Sequence, residues 1–389
     1  MSKIDDMLAE LCPNGVEYRT LAEIAEIGTG SSNTQDQVED GKYPFYVRSP
    51  EIKHSNTYEF DETSIVTAGD GEVGKVFHFV KGKYALHQRA YRVHITSDDV
   101  LPRYCYWFMV SQFRKYVEKR ACSATVKSLR KPMFLDFPVA VPPLDVQHEV
   151  VRVLDSFTEL ETELETELEA RKAQYAYYRD QLLSRENLEK IAGNEIYIRP
   201  ISDIANVYDG THQTPKYTTT GIKFVSVENI TDLYASDKHI SEDAFNKQYN
   251  NPPCKGDVLM TRIGSIGKCA VVETDEKLAY YVSLCLIKPN FNAILPRYLK
   301  YVLESSDGRR ELRRYTILTA VPIKINLGDV GKVRIPVPPL FVQQRVVDIL
   351  DHFDALTSSL SDGLPAEIEA RHRQYEYYRD RLLVFPKKA

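Results

Sequence analysis

Apolar residues along this chain fall into two textures that follow one another twice. In the first, short apolar or aromatic runs are punctuated by Gly, Pro, Asn and Asp, which predicts strands between turns. Ser64–Thr67, Val76–Val80 and Ala90–Ile95 are three such runs, and Asp257–Met260, Cys269–Val272 and Ser283–Ile287 are their later counterparts. A helix is predicted after each Leu-Pro-Arg-Tyr, at 101–104 and 295–298, with proline in its first turn. In the second texture the apolar positions take helical spacing. Val146, Val150, Val153, Leu154, Phe157, Leu160, Leu164 and Leu168 form one stripe, continued by Tyr175, Tyr178 and Leu182. Long helices are therefore predicted over 145–184 and 341–383, each entered through a Pro-Pro pair. Ser361-Asp362-Gly363-Leu364-Pro365 carries helix breakers and predicts an interruption in the second one. A helix from Val146 to Leu183 would span about 57 Å and needs a partner for its stripe. The second copy supplies one, as an antiparallel coiled coil.

The repetition extends to individual residues. Pro142-Pro143-Leu144-Asp145-Val146-Gln147 returns as Pro338-Pro339-Leu340-Phe341-Val342-Gln343, and Val150–Phe157 returns as Val346–Phe353. Glu169-Ala170-Arg171 and Gln174–Asp180 return as Glu369-Ala370-Arg371 and Gln374–Asp380, now with four extra residues in the later copy. Units this long are too large for solenoid repeats and indicate domain duplication. The predicted class is α+β: two similar mixed α/β domains joined by long antiparallel coiled-coil helices.

Composition narrows the classes. The chain has 389 residues, 43% hydrophobic and 27% charged, which fits a globular protein with more than one core. No apolar run approaches the roughly 18–20 residues of a membrane span, and the first residues lack the plan of a secretory signal. The six cysteines, Cys12, Cys105, Cys122, Cys254, Cys269 and Cys285, contain no Cys-x-x-Cys pair. A reducing cytoplasm is the expected setting, and most of them are expected to be small core hydrophobes. A net charge of −5 argues at first against nucleic acid, but the acidity is local. Residues 19–140 carry +2 and 199–337 carry +4, whereas 141–198 carry −7.

Catalytic motifs are incomplete. Gly69–Lys75 has the G-x-x-x-x-G-K spacing of a phosphate loop, but Val76 stands where Mg²⁺ needs a hydroxyl. Asn251-Pro252-Pro253-Cys254 is similar to the Asn-Pro-Pro-aromatic motif of amino-group DNA methyltransferases, yet Cys254 cannot stack on a flipped base. Basic residues are more informative. Arg114, Lys115, Lys119, Arg120, Lys127, Arg130 and Lys131 cluster against one acid, Glu118. Arg309, Arg310, Arg313, Arg314 and Lys324 form the matching cluster of the second copy. Such clusters neutralise phosphates and hold a protein in register on DNA. His87, Gln88, Arg89, His212 and Lys216 are candidates for contacts to bases, and Lys75, Arg262 and Lys268 join the candidate DNA-binding set. Residues 158–169 read Thr-Glu-Leu-Glu three times, with Leu160, Leu164 and Leu168 as spacer positions. Adding or removing one unit advances a helix by about 6 Å and about 40° beyond a full turn.

Pro-Pro-Leu-x-x-Gln entering a helix, Glu-Ala-Arg…Gln-Tyr-x-Tyr-Tyr-Arg-Asp, and their duplication resemble the specificity subunit of type I restriction–modification enzymes. The resemblance covers the whole chain and is strongest over 142–183 and 338–383. The Thr-Glu-Leu-Glu units resemble the tetrapeptide spacer repeats of the type IC branch. The resemblance implies target-recognition domains at 1–144 and 191–340, a central helical spacer at 145–190 and a distal helical region at 341–385. It implies a cytoplasmic, non-catalytic subunit that reads a bipartite double-stranded DNA target, one domain per half-site. Two modification subunits would bring S-adenosylmethionine and methylate adenine; restriction subunits would bring ATP and Mg²⁺; this chain would hold no cofactor. In that family the number of spacer repeats sets the gap between half-sites. A self-sufficient DNA methyltransferase and a coiled-coil scaffold without DNA binding are the remaining classes.

Overall fold

The computed structural model describes residues 3–71, 74–120, 129–193, 196–358 and 364–388. The chain divides into two compact units, residues 1–165 with 367–389, and residues 166–366.

In unit 1 a six-stranded sheet runs Ala25–Thr29, Ala90–Ile95, Phe60–Ala68, Phe77–Leu86, Tyr43–Tyr46, Lys53–Ser55. All neighbours are antiparallel except Tyr43–Tyr46 beside Phe77–Leu86. The helix Pro102–Arg120 packs on this sheet through Tyr106 against Phe79 and Phe113 against Phe77, while Trp107 meets Asp155 and Tyr375. Phe113 stacks on Phe134 at 4.9 Å and meets the edge of Phe137 at 5.1 Å, geometries favourable for aromatic pairs.

Unit 2 repeats the plan with one difference. Its sheet Ala205–Asp209, Leu284–Pro289, Val258–Thr261, Cys269–Val271 is separate from a second sheet, His239–Ile240, Ile222–Val225, Leu278–Tyr280. The single strand Phe77–Leu86 of unit 1 corresponds to two here, because Glu273–Lys277 interrupts it. That polar stretch is held by the Tyr234 hydroxyl, which accepts the N–H groups of Glu273 and Thr274 at 3.2 and 3.1 Å.

The central helix spans Leu144–Leu182, and the distal helices span Leu340–Ser358 and Leu364–Leu382. The predicted break over 361–363 lies outside the described residues; the last helix begins at Leu364 with Pro365 in its first turn. Each unit takes one segment from each sequence copy into its core. Unit 1 buries Val146, Val150 and Leu154 of the central helix with Tyr375 of the last helix and Leu383 just past its end. These segments run antiparallel: Phe157 stacks on Tyr378 at 5.6 Å, while the later Glu161 meets the earlier His372 at 3.2 Å. Unit 2 packs Tyr175 and Leu182 with Val342, Val346 and Leu350, and Tyr178 stacks on Phe353 at 5.6 Å. The folded units are thus shifted cyclically relative to the sequence copies. Leu160, Leu164 and Leu168 are half-buried, less enclosed than the start of their stripe.

Cys105, Cys269 and Cys285 are buried, and burial pushes the thiols up, to about 12 for Cys105 and Cys285. That is the behaviour of core hydrophobes rather than nucleophiles. Cys122 lies outside the described residues. Among the described residues no helix is long and apolar enough to cross a membrane.

Candidate nucleic-acid interface

One end of the unit 1 sheet gathers four loops into a rim. The segment after Ala25–Thr29 pairs with the turn between Phe77–Leu86 and Ala90–Ile95: Ser32 N–H donates to the Leu86 carbonyl at 3.2 Å, and Gln88 N–H to Ser32 at 2.9 Å. The turn also binds the end of Tyr43–Tyr46, through His87 N–H to the Tyr46 carbonyl at 2.9 Å. Gly69 N–H donates to the Arg89 carbonyl at 2.9 Å, and the Gly69 carbonyl accepts Leu129 N–H. Gly30 lies so close to this turn that a Cβ would fall 1.8 Å from the Leu86 carbonyl oxygen, so only glycine fits.

Unit 2 rebuilds the rim bond for bond. Thr211 N–H donates to Tyr280 at 3.2 Å, Val282 N–H to Thr211 at 3.0 Å, and Tyr281 N–H to Val225 at 2.9 Å. Arg262 N–H donates to Ser283 at 2.9 Å, and Ile325 N–H to Arg262 at 3.0 Å. These bonds align His87 with Tyr281, Gln88 with Val282, Arg89 with Ser283 and Gly69 with Arg262. The frame is shared, and the side chains on it differ.

The Gly-Lys turns are structural. Gly74 adopts φ +69° against the Cβ of Arg114, and Gly267 adopts φ +85° against Leu312, which seats each turn on a basic helix. Lys75 and Lys268 are exposed beside them.

The predicted cations divide into three groups. Lys119, Arg130, Lys131, Lys216, Lys268, Arg309, Arg313 and Lys324 are exposed, without a side-chain partner among the described residues. Others are exposed but paired: Arg114 with Glu118 at 2.7 Å, Lys115 with Asp380 at 2.8 Å, Arg310 with Asp307 and Arg314 with Glu311. Arg120 lies over the Tyr116 ring, 4.4 Å from its centre, with Asp136 3.7 Å away. His212 is exposed and bonds Asp209 at 2.8 Å. Lys127 lies outside the described residues.

Two candidates need correction. Arg262 is 6% exposed, and its guanidinium is bound to both oxygens of Asp209 at 2.7 and 2.9 Å and to the Ile325 carbonyl at 3.3 Å. A guanidinium so enclosed ties three segments of unit 2 together and cannot reach a phosphate. His87 is 4% exposed, and its Nδ1 accepts the N–H of Arg89 at 3.0 Å. Burial, and then the charges of Arg48 and Arg89, push its pKa down, so the neutral ring remains an acceptor. It positions the turn instead of reading a base. Gln88, by contrast, is exposed and donates to the side chain of Asn33.

Three rim residues escaped the sequence reading. Asp70 accepts Arg48 at 2.9 Å and Arg89 at 3.3 Å, and Asp209 anchors Arg262. Arg48, Asp70 and Arg89 are separated along the chain, and no spacing rule joins them; only the sheet topology does.

The type I restriction modification DNA specificity domain matches residues 13–171 and again 194–370. The chain belongs to this family. Members supply specificity and not catalysis, which agrees with the incomplete catalytic motifs. Among specificity-family relatives, the putative type I restriction enzyme specificity subunit of Haemophilus influenzae is 28% identical, over 95% of this chain and 96% of that one. The EcoR124I/EcoR124II specificity subunit of Escherichia coli is 34% identical, over 75% of this chain and 74% of that one. Among solved structures, the S subunit of a type I system from M. genitalium aligns with a TM-score of 0.55 at 15% identity, covering 95% and 96% of the two chains. A chain from work on complex assembly and conformational transition of the type I R-M system aligns at 0.64 and 13%, covering 95% and 98%. At such identities these structures establish the shared fold.

Proposed function

We propose that this chain is the DNA-reading subunit of a type I restriction–modification complex and reads a bipartite target, one half-site per unit. The observation that carries this reading is the rim built twice on the same backbone bonds with different side chains. Constant frames with variable tips suit two readouts of different sequence. Phosphates would be held by exposed cations flanking each rim: Lys75, Arg114, Lys119, Arg130 and Lys131 in unit 1, and Lys216, Lys268, Arg309, Arg313 and Lys324 in unit 2.

Two equivalent units give a partner two equivalent places to dock, which supports two modification subunits per chain. S-adenosylmethionine would be bound there, and ATP with Mg²⁺ on the restriction subunits, all in the cytoplasm. The Thr-Glu-Leu-Glu units within the central helix would set the gap, as in the type IC branch. A step of about 6 Å exceeds the roughly 3.4 Å rise per base pair, so tilt or relaxation must accompany it.

The test is to co-express the chain with its modification subunit and map adenine methylation on genomic DNA. A single bipartite motif with a fixed gap, lost when this chain is omitted, is expected. Methylation that does not depend on the chain, or an undivided motif, would refute the reading. Methyl transfer by the purified chain alone would favour a self-sufficient methyltransferase.

A further inference from the structure

Asp70 joins two arginines that come from separate loops. It follows the strand Phe60–Ala68, Arg48 follows Tyr43–Tyr46, and Arg89 stands in the turn after Phe77–Leu86. The side chains of Arg48 and Arg89 are 44% and 62% exposed, whereas Asp70 beneath them is 22% exposed. A different ion pair of the same sheet shows the contrast. Arg92 and Glu62 are 15% and 16% exposed, and Arg92 lies on the Phe60 ring at 4.7 Å. That pair is packed into the sheet; the Asp70 group opens to solvent.

The backbone of Arg89 is held on both sides, its N–H by His87 Nδ1 at 3.0 Å and its carbonyl by Gly69 N–H at 2.9 Å. Each guanidinium gives Asp70 one N–H group, and its others have no partner among the described residues. A planar fork held this way matches O6 and N7 on the major-groove edge of guanine. A shared carboxylate lowers the net charge of the trio to +1, which weakens it as a phosphate clamp but fixes the direction of each fork.

Unit 2 carries none of this. The rim bonds place Ser283 at the position of Arg89 and Val227 at that of Arg48, and the arginine at the position of Gly69 is turned inward to Asp209.

Resting on the bipartite reading above, we infer that Arg48 and Arg89, aligned by Asp70, read G·C pairs in the half-site of unit 1. Unit 2 reads its half-site without an arginine at the equivalent positions. Arg48 and Arg89 are specificity-determining, and Asp70 is a positioning residue.

The experiment is methylation mapping with the complete complex carrying Arg48→Lys, Arg89→Lys or Asp70→Asn. Lysine keeps the charge and loses the fork, and these exposed positions place little folding energy at risk. Each lysine variant should lose about tenfold or more of the discrimination at a guanine position. Both should affect the same half-site and leave the gap and the other half unchanged. Asp70→Asn should relax the same positions by less.

An unchanged motif in the lysine variants would reduce these residues to phosphate contacts and overturn the inference. Changes in different half-sites, or a wild-type motif without guanine in the affected half, would overturn it too. Should a variant methylate nothing, competition binding of the purified complex to duplexes differing at one position decides, and retained base preference sinks the idea. A wild-type map with no bipartite motif would instead refute the broader reading.

Discussion

The side-chain oxygen of Gln147 accepts the backbone N–H of Leu101 at 2.9 Å, across 46 residues of chain. Its amide nitrogen donates to the carbonyls of Asp99 and Pro142 at 2.7 and 2.8 Å. Gln343 repeats this in unit 2, with Leu295 N–H at 2.9 Å and the carbonyls of Ala293 and Pro338 at 2.9 and 2.8 Å. Both glutamines are fully buried. The motif Pro-Pro-Leu-x-x-Gln therefore locks the first turn of a long helix onto the loop that starts the sheet-packing helix.

Replacing Gln147 by alanine strands one N–H and two carbonyls in the interior. A loss of roughly 2–4 kcal/mol is expected, with a similar loss for Gln343→Ala in unit 2. Denaturant unfolding of the full chain measures both. A loss below about 0.5 kcal/mol for either would mean that water replaces the glutamine.

The cyclic shift of the units makes the last helix part of unit 1. Val16 N–H donates to the Pro386 carbonyl at 2.8 Å, Lys388 N–H returns to Val16 at 2.9 Å, and the Tyr18 hydroxyl bonds the Phe385 carbonyl at 3.0 Å. Tyr375, Leu383 and Phe385 lie in the unit 1 core, while among the described residues no buried member of the unit 2 core lies beyond Leu350. Removing residues 367–389 should therefore destabilise unit 1 by about 5 kcal/mol or more. Limited proteolysis should cut within residues 1–165 first and leave 196–358 protected. Equal cutting of both units would contradict this division.

The helices were legible because their stripe repeats at a spacing that few other structures produce. Val146, Val150 and Leu154 are buried as expected, and helices do start at Pro102 and Pro296. The break of one strand into two at Glu273–Lys277 could be suspected from its polar run, but the separation into two sheets depends on Tyr234. Arg262 and His87 read as DNA contacts because charge and aromatic nitrogen look alike on a surface and inside. Their burial is decided by Asp209 and the Arg89 N–H, neither of which sequence spacing points to. The rim itself is built from backbone bonds between distant loops, a relation that composition does not encode.

His87 carries a pH dependence of defined sign. Its pKa is lowered in the folded protein, first by burial and then by Arg48 and Arg89, from an ordinary value near 6.5. The unfolded chain thus takes up its proton at higher pH than the folded one. This contribution to stability is complete above about pH 6.5 and falls as pH drops below it toward the folded value. Protonation also converts the acceptor of the Arg89 N–H into a donor, which releases the turn. Unfolding free energies of wild type and His87→Ala across this range test it. The variant should be weaker by about 1–3 kcal/mol at pH 7.5, and the difference should shrink on acidification. A constant difference would exclude the linkage.

The spacer gives the most direct link from helix geometry to DNA. Thr162–Glu165 is one Thr-Glu-Leu-Glu unit, and its Leu164 keeps the half-buried course of Leu160 and Leu168. Deleting it preserves the order of the remaining side chains but rotates everything beyond by about 40° and withdraws it by about 6 Å. The rotation is close to the twist per base pair, and tilt or relaxation must absorb the excess of the step over a rise of about 3.4 Å. Glu161 and His372 both lie in unit 1, on the near side of the deletion, so their contact is retained. The expected outcome is a motif with both half-sites unchanged and a gap shorter by one base pair, read by methylation mapping with the modification subunit present. A gap of unchanged length in an active complex would show that the central helix does not measure the separation.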